Sequence, residues 1–291
     1  RTSAKGWTPH GHYGAWNLRN TVSPAEQGFR IMSRSAYSGK IQLESAVLTR
    51  KKDDQSQPTI TNVRVNTLSI RCYDKFEVTL DLPDRYANPF DSSEIALYAE
   101  FILPDGSEQH IDGFFKQDYC EIEDSAETRI SPQGKPHWCI RFAPTIQGKH
   151  SFRIVAEDRN GKAQWGPGSF EATSPVKPGF VRVSRKDPRF FEFDSKDPFF
   201  PIGHNIRSPF DTRMDSNFPY RQRWQEGASV YERYFASMEK AGENMAEVWF
   251  ASWSLGLEWN RDWFGYHGVG QYNLIHAAEM DRVVDMAAEH N

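Results

Sequence analysis

Cysteine is scarce in this sequence: only Cys72, Cys120 and Cys139 occur in 291 residues. An odd count supplies no disulfide framework, and none of the three has the spacing of a metal ligand set. Cys120 and Cys139 could join in an oxidising compartment, with three isolated thiols as the plainer alternative. Long apolar runs are also missing. No stretch approaches the roughly 18 residues that a membrane-spanning helix requires, so no membrane span is expected. The opening residues, RTSAKGWTPHGHYGAW, contain no apolar segment of the signal-peptide kind. The chain reads as beginning and ending in mid-structure. Charge of one sign is not concentrated anywhere: the net charge is −4 with both signs interspersed, which excludes a basic stripe for nucleic acid and a polybasic membrane patch. There is no glycine-rich phosphate loop, no G-x-S-x-G elbow and no H-E-x-x-H helix, so three common catalytic chemistries lack their residues.

What the chain does have is aromatic residues, at 14% with nine Trp and twenty Phe, against only 38% hydrophobic residues in all. Flat rings bury large areas in small sheets and stack on pyranose faces, so this balance suits β-sandwiches and sugar-binding surfaces. Their even spread along strand-like alternation excludes general disorder.

Three segments follow one another. Residues 1–58 read as a partial β-sandwich, with strands at 29–32 and 39–48. This piece could be the tail of a jelly-roll carbohydrate-binding module, and it closes at the polar break Asp53-Asp54-Gln55-Ser56-Gln57-Pro58. Residues 59–175 read as all-β. Ile95, Leu97, Ala99, Phe101 and Leu103 alternate along a half-buried strand, Asp105-Gly106 marks a hairpin, and 111–115 supplies the partner strand. Further strands fall at 77–82, at 139–142 and around Phe152, Ile154 and Ala156, the last closed by the turn Asp158-Arg159-Asn160-Gly161. Such spacing predicts an immunoglobulin-like β-sandwich.

Residues 176–291 change pattern. Strands at 190–193 and 199–202 flank the turn 194–197. Val230, Tyr231, Tyr234, Phe235, Met238 and Ala241 then recur at helical spacing, stopped by Gly242. A strand follows at 245–251, and a second helix begins at Asn273 with Ala277, Met280, Val283, Val284 and Ala287 on its expected buried side. Strand, helix, strand, helix predicts parallel α/β packing. The fold class is multidomain, a β-sandwich followed by parallel α/β units, which the family resemblance of its motifs implies to be an N-terminal part of a (β/α)₈ TIM barrel. Two βα units cannot close a barrel, so this part needs the remaining strands from the same polypeptide or another fragment.

Several motifs carry a family resemblance. Asn88-Pro89-Phe90-Asp91, Pro104-Asp105-Gly106, Gly113-Phe114-Phe115 and Trp138-Cys139-Ile140-Arg141-Phe142-Ala143-Pro144 resemble the DUF5060-type sandwich that precedes glycosidase barrels. Pro198-Phe199-Phe200-Pro201-Ile202-Gly203-His204-Asn205 resembles the first barrel strand of DUF4038, clan-A-like enzymes. Asn244-Met245-Ala246-Glu247-Val248-Trp249 resembles the second strand, Trp253 to Trp259 its loop, and Gly270 to Asp281 the second helix. The resemblance covers roughly residues 60–291. It implies a secreted, periplasmic or cell-surface glycoside hydrolase acting on a polysaccharide or oligosaccharide by a retaining mechanism. Its acid/base would follow strand four and its nucleophile would lie on strand seven, so no catalytic residue is assigned to this chain. Many relatives carry Arg where Glu247 stands, a departure that leaves open whether this branch orders its site differently.

What these residues could supply is a sugar-binding rim, because barrel sites open at the C-terminal ends of the strands. The substrate-binding candidates are His204, Asn205, Trp253, Glu258 and Trp259. His204 could instead be a buried histidine on backbone, the two tryptophans could be loop packing, and Glu258 could be a surface charge. Trp249 is expected in the core, and Glu247 is expected to pair with a basic neighbour or to turn into the barrel mouth. Arg207, Arg213, Arg221 and Arg223 could meet acidic sugars, with a solvated loop as the alternative. Neither Asp53-Asp54 nor Glu121-Ile122-Glu123-Asp124 has the order of a calcium loop, so no metal and no cofactor is expected. A non-catalytic carbohydrate-binding or cell-surface module with a degenerate barrel is the competing reading.

Overall fold

A computed structural model describes residues 56–124, 127–207, 230–252, 254–259 and 266–290; for 121–130 the backbone alone is described. The expected module at 1–58 lies almost wholly outside these residues.

Eight strands form one sheet: β1 (Thr61–Val65), β2 (Ser69–Arg71), β3 (Phe76–Asp81), β4 (Ala96–Ile102), β5 (Glu108–Asp124), β6 (Glu127–Phe142), β7 (Gly148–Asp158) and β8 (Gly161–Thr173). Their spatial order is β1-β3-β6-β5-β4-β7-β8-β2. The sheet curls about β5, whose first residues pair with β4 up to Tyr98↔Asp112, while Gly113 onward pairs with β6. Gly113 stands at this corner for a steric reason. A Cβ there would lie 2.5 Å from the Leu97 side chain of one half and 3.1 Å from Ile140 of the other.

The two halves face each other across a single core. Phe76 of β3 stacks on Phe170 of β8 at 3.9 Å, and Phe101 of β4 stacks on Phe142 of β6 at 4.2 Å. The alternation read from the sequence is the buried face of β4, since Ile95, Leu97, Ala99, Phe101 and Leu103 are all buried. Each such aliphatic or aromatic side chain contributes about 1.5–3 kcal/mol by leaving water. Asp105-Gly106 makes the expected turn, with Gly106 at φ +82° and the Asp105 carboxylate accepting from the Ser107 amide at 3.0 Å. The β-rich expectation for this segment therefore holds. Hydrogen bonding, however, runs without a break through β5 rather than dividing into two separate sheets.

A small antiparallel sheet comes next, in the order β11-β10-β9, from β9 (Val181–Val183), β10 (Phe191–Phe193) and β11 (Pro198–Phe199). After it, β12 (Gly203–Ile206), α1 (Val230–Ala241), β13 (Met245–Val248) and α2 (Leu274–Glu289) form the expected βαβα run. Strands β12 and β13 are parallel neighbours, with Gly203↔Met245, His204↔Ala246, Asn205↔Glu247 and Ile206↔Val248 in register. β13 is shorter than the expected 245–251, and β12 begins just beyond the expected strand 199–202, of which only Phe199 lies in a strand, the antiparallel β11. Asn244 ties the entrances of β12 and β13 together, accepting from the Ile202 amide and donating to the Phe200 carbonyl.

Gly242 ends α1 as anticipated, at φ +75°, with its amide on Glu239 O and the Glu243 amide on Met238 O. Helix α2 corrects the sequence reading. Its buried stripe is His276, Glu279, Val283 and Met286, whereas Val284 is 66% exposed and Ala287 is exposed. An apolar count skipped the two polar members of the true stripe, which rotated the expected face by about one position. Ile206, Ala246 and Val248 pack with Val230, Tyr231, Phe235, Met238, Val283 and Met286 in the second core.

Candidate functional site

Period-2 alternation sorts the residues of β12 and β13 onto two faces. One face, with Ile206, Ala246 and Val248, is covered by the helices. The other carries Gly203, Asn205, Met245 and Glu247, with Asn205 directly beside Glu247. The Trp249 amide extends the ladder by donating to Ile206 O at 3.2 Å, so its indole follows Glu247 on that side and is 40% exposed. Trp249 is thus not the core residue that the sequence suggested. Glu247 is exposed and engages no partner among the described residues, so the expected pairing with a basic neighbour is not found there. An amide, a carboxylate and an indole on one open face offer two hydroxyl-binding groups and a stacking ring.

His204 precedes Asn205 and therefore points to the opposite face. Its Nδ1 meets Glu243 Oε2, and its side chain is 67% exposed, so it is not buried on backbone. The two residues that sequence reasoning placed together at one rim are separated by the strand pleat.

The loop leading to α2 holds the other candidates. Trp253 lies outside the described residues. Glu258 is half-buried; its Oε1 accepts from the Gly270 amide at 2.6 Å, while its carbonyl accepts from the His267 amide at 2.7 Å. Trp259 is half-buried with its ring 4.7 Å from Tyr266. Asn273, the N-cap of α2, accepts from the Ile275 and His276 amides and donates to Trp259 O at 3.0 Å. Buried His276 reaches back from α2 to Gly256 O through Nδ1 at 2.8 Å. The loop bearing Glu258 and Trp259 is therefore held from both its ends, and Glu258 already serves as a backbone acceptor.

Arg207 is exposed; Arg213, Arg221 and Arg223 lie outside the described residues. Among the described residues no group of three His, Cys, Asp or Glu could hold a metal ion, and no helix is long and apolar enough to cross a membrane. All three cysteines are free. Cys120 lies opposite Ser131 and Cys139 opposite Phe114, several residues apart along the β5/β6 ladder, which rules out the bond between them in this fold. Burial first, then the nearby Glu77 carboxylate, pushes the Cys139 thiol up to about 12.

Sequence reasoning had Glu247 paired or turned into the barrel mouth but placed Trp249 in the core, and it read Asn88 and Arg141 only within family motifs, without their partners. The signal for Trp249 was present, because Ala246 and Val248 alternate with Glu247 and Trp249. Nothing local signalled the partners Gly270 and Asp281, which stand 182 and 140 residues away.

Residues 69–157 match DUF5060, a domain of unknown function. No curated protein matches the chain in sequence. Among solved structures, one from Bacteroides vulgatus that carries the provisional name glycoside hydrolase is similar, with a TM-score of 0.50 and 17% identity. The match covers 77% of this chain and 40% of that one, so the chain spans well under half the length of its structural relative. At such identity the likeness is one of fold. Residues 69–157 thus match the DUF5060 model, within a fold similar to that of a larger protein provisionally named a glycoside hydrolase.

Proposed function

We propose that the chain is the front portion of a secreted glycoside hydrolase that cleaves O-glycosidic bonds in a polysaccharide. In this reading the curled β module is an immunoglobulin-like sandwich, and β12-α1-β13-α2 are the first two units of a (β/α)₈ barrel. The observation that carries it is the parallel β12/β13 pair, helix-covered on one face and open on the other with Asn205, Glu247 and Trp249. In a barrel the face turned from the helices lines the interior, and its C-terminal end forms the substrate mouth. Asn205 and Glu247 would then bind sugar hydroxyls, and Trp249 would offer a ring face. The reaction would use two carboxyl groups, one protonating the leaving oxygen and one attacking the anomeric carbon, both on later strands. Glu247, standing where many similar enzymes have Arg, would act on substrate rather than as support for the nucleophile.

The full-length polypeptide, screened on neutral and sulfated polysaccharides, tests this. Release of reducing ends with net retention at the anomeric carbon is the expected result, and Asn205→Ala and Trp249→Ala should raise KM. Binding without release would favour the non-catalytic module, and neither binding nor release would overturn both readings.

A further inference from the structure

The motifs that mark the β module converge on one surface. Arg141 of β6 spans three partners. Its Nε donates to Glu77 at 2.8 Å, and its two terminal nitrogens grip both oxygens of Asp281 on α2 at 2.8 and 2.9 Å. The guanidinium also lies 5.0 Å over the Phe114 ring. Nearby, Lys75 meets Asp285, one turn further along α2, at 2.8 Å. A second group reaches the loop before α2. Buried Asn88 donates through Nδ2 to Gly270 O at 3.2 Å, and Phe90 lies 5.0 Å from the Tyr272 ring. Phe90 is backed by Phe115 at 6.1 Å, and Phe115 by Trp138 at 5.4 Å. Asn-Pro-Phe, Gly-Phe-Phe and the Trp138–Arg141 stretch are thus neighbours in space, although they are far apart in the chain.

We propose that this face of the DUF5060 module is a docking surface for the chain's own α2 and its preceding loop, and that it positions the segment carrying Glu258 and Trp259. The relay is short. Asn88 holds the Gly270 carbonyl while the Gly270 amide holds the Glu258 carboxylate, so fixing one side of that peptide segment fixes the other. The Arg141 fork sets the helix axis, because a bidentate guanidinium–carboxylate pair fixes orientation as well as distance. The side chains of Arg141, Glu77 and Asp281 are 28%, 20% and 37% exposed, so the network is partly shielded from water. Arg141 and Asn88 are positioning residues, since neither faces the open strand surface. The proposal does not rest on the hydrolase reading.

Backbone amide hydrogen exchange on the chain without any sugar tests it. Arg141→Met combined with Asp281→Leu removes both members of the fork, at the loss of the Glu77 carboxylate's donor, and Asn88→Asp keeps the acceptor bond to the Phe90 amide while replacing the amide donor to Gly270 with a carboxylate. Each should speed exchange over 266–273 and the first turn of α2 by about tenfold or more, with β4 and β7 unchanged. Arg141→Lys, which cannot fork, should fall between wild type and the double variant. Unchanged exchange in the loop would overturn the proposal, as would acceleration spread equally through the curled sheet. Should the double variant fail to fold, Asn88→Asp decides alone, since it touches no ion pair.

Discussion

Asn273 caps α2 and simultaneously ties it to the Trp259 loop, so its replacement measures how firmly that loop is built. The side chain accepts from Ile275 N at 3.0 Å and His276 N at 3.3 Å, donates to Trp259 O at 3.0 Å, and the residue is 8% exposed. Its backbone, at φ −79° and ψ 106°, suits any residue, so Asn273→Ala introduces no strain of its own. Loss of the cap costs about 1 kcal/mol. Stranding the Trp259 carbonyl adds about 1–3 kcal/mol, so the alanine variant should lose about 2–4 kcal/mol locally. Asn273→Ser restores the cap alone and should recover roughly 1 kcal/mol of that loss. The assay is native-state exchange of the Ala277 amide, which bonds Asn273 O at 3.0 Å, and of its neighbours. At about 1.4 kcal/mol per tenfold in rate, alanine should open the first turn at least tenfold more than wild type. A change below about 0.5 kcal/mol, the ordinary size for a surface substitution, would refute the dual role.

Three further outcomes follow from the same interactions. Hydrogen bonds that the imidazole donates to the carboxylates of Glu239 and then Glu232 raise His290 above its ordinary 6.5, so the α1–α2 tie should be complete below about pH 6.5 and weaken as pH rises through the raised value. Proton NMR should show that raised midpoint, with Glu239→Gln lowering it; a midpoint at or below 6.5 would contradict the geometry. Cys120 alone should react with a thiol reagent in the native protein, because it is exposed while Cys72 and Cys139 are buried and raised in pKa; modification of Cys139 before unfolding would count against the core. Residues 59–175 expressed alone should melt cooperatively, whereas residues 180–291 should aggregate or stay partly unfolded, because β12 and β13 leave one face open. A cooperative monomeric melt of the second piece would argue against the barrel reading.

Local pattern and physical chemistry account for much of this molecule. The β4 alternation, the Asp105-Gly106 turn, the Gly242 stop and the Asn273 start each depend on residues within a few positions, where side-chain period, φ above zero and cap chemistry act directly. The DUF5060 likeness of residues 69–157 was legible in the same way, from short motifs in order. Faces were less so. Helix α2 hides His276 because its Nδ1 finds Gly256 O across the loop, a partner that no helical count reveals. The pleat sent His204 and Asn205 to opposite sides and brought Asn205 beside Glu247, since register between distant strands is set by which face the helices cover. The Arg141–Asp281 fork and the Asn88–Gly270 bond exist only once the curled sheet and α2 meet. Charges and amides have no periodicity, so their partners are chosen by three-dimensional packing rather than by neighbours along the chain.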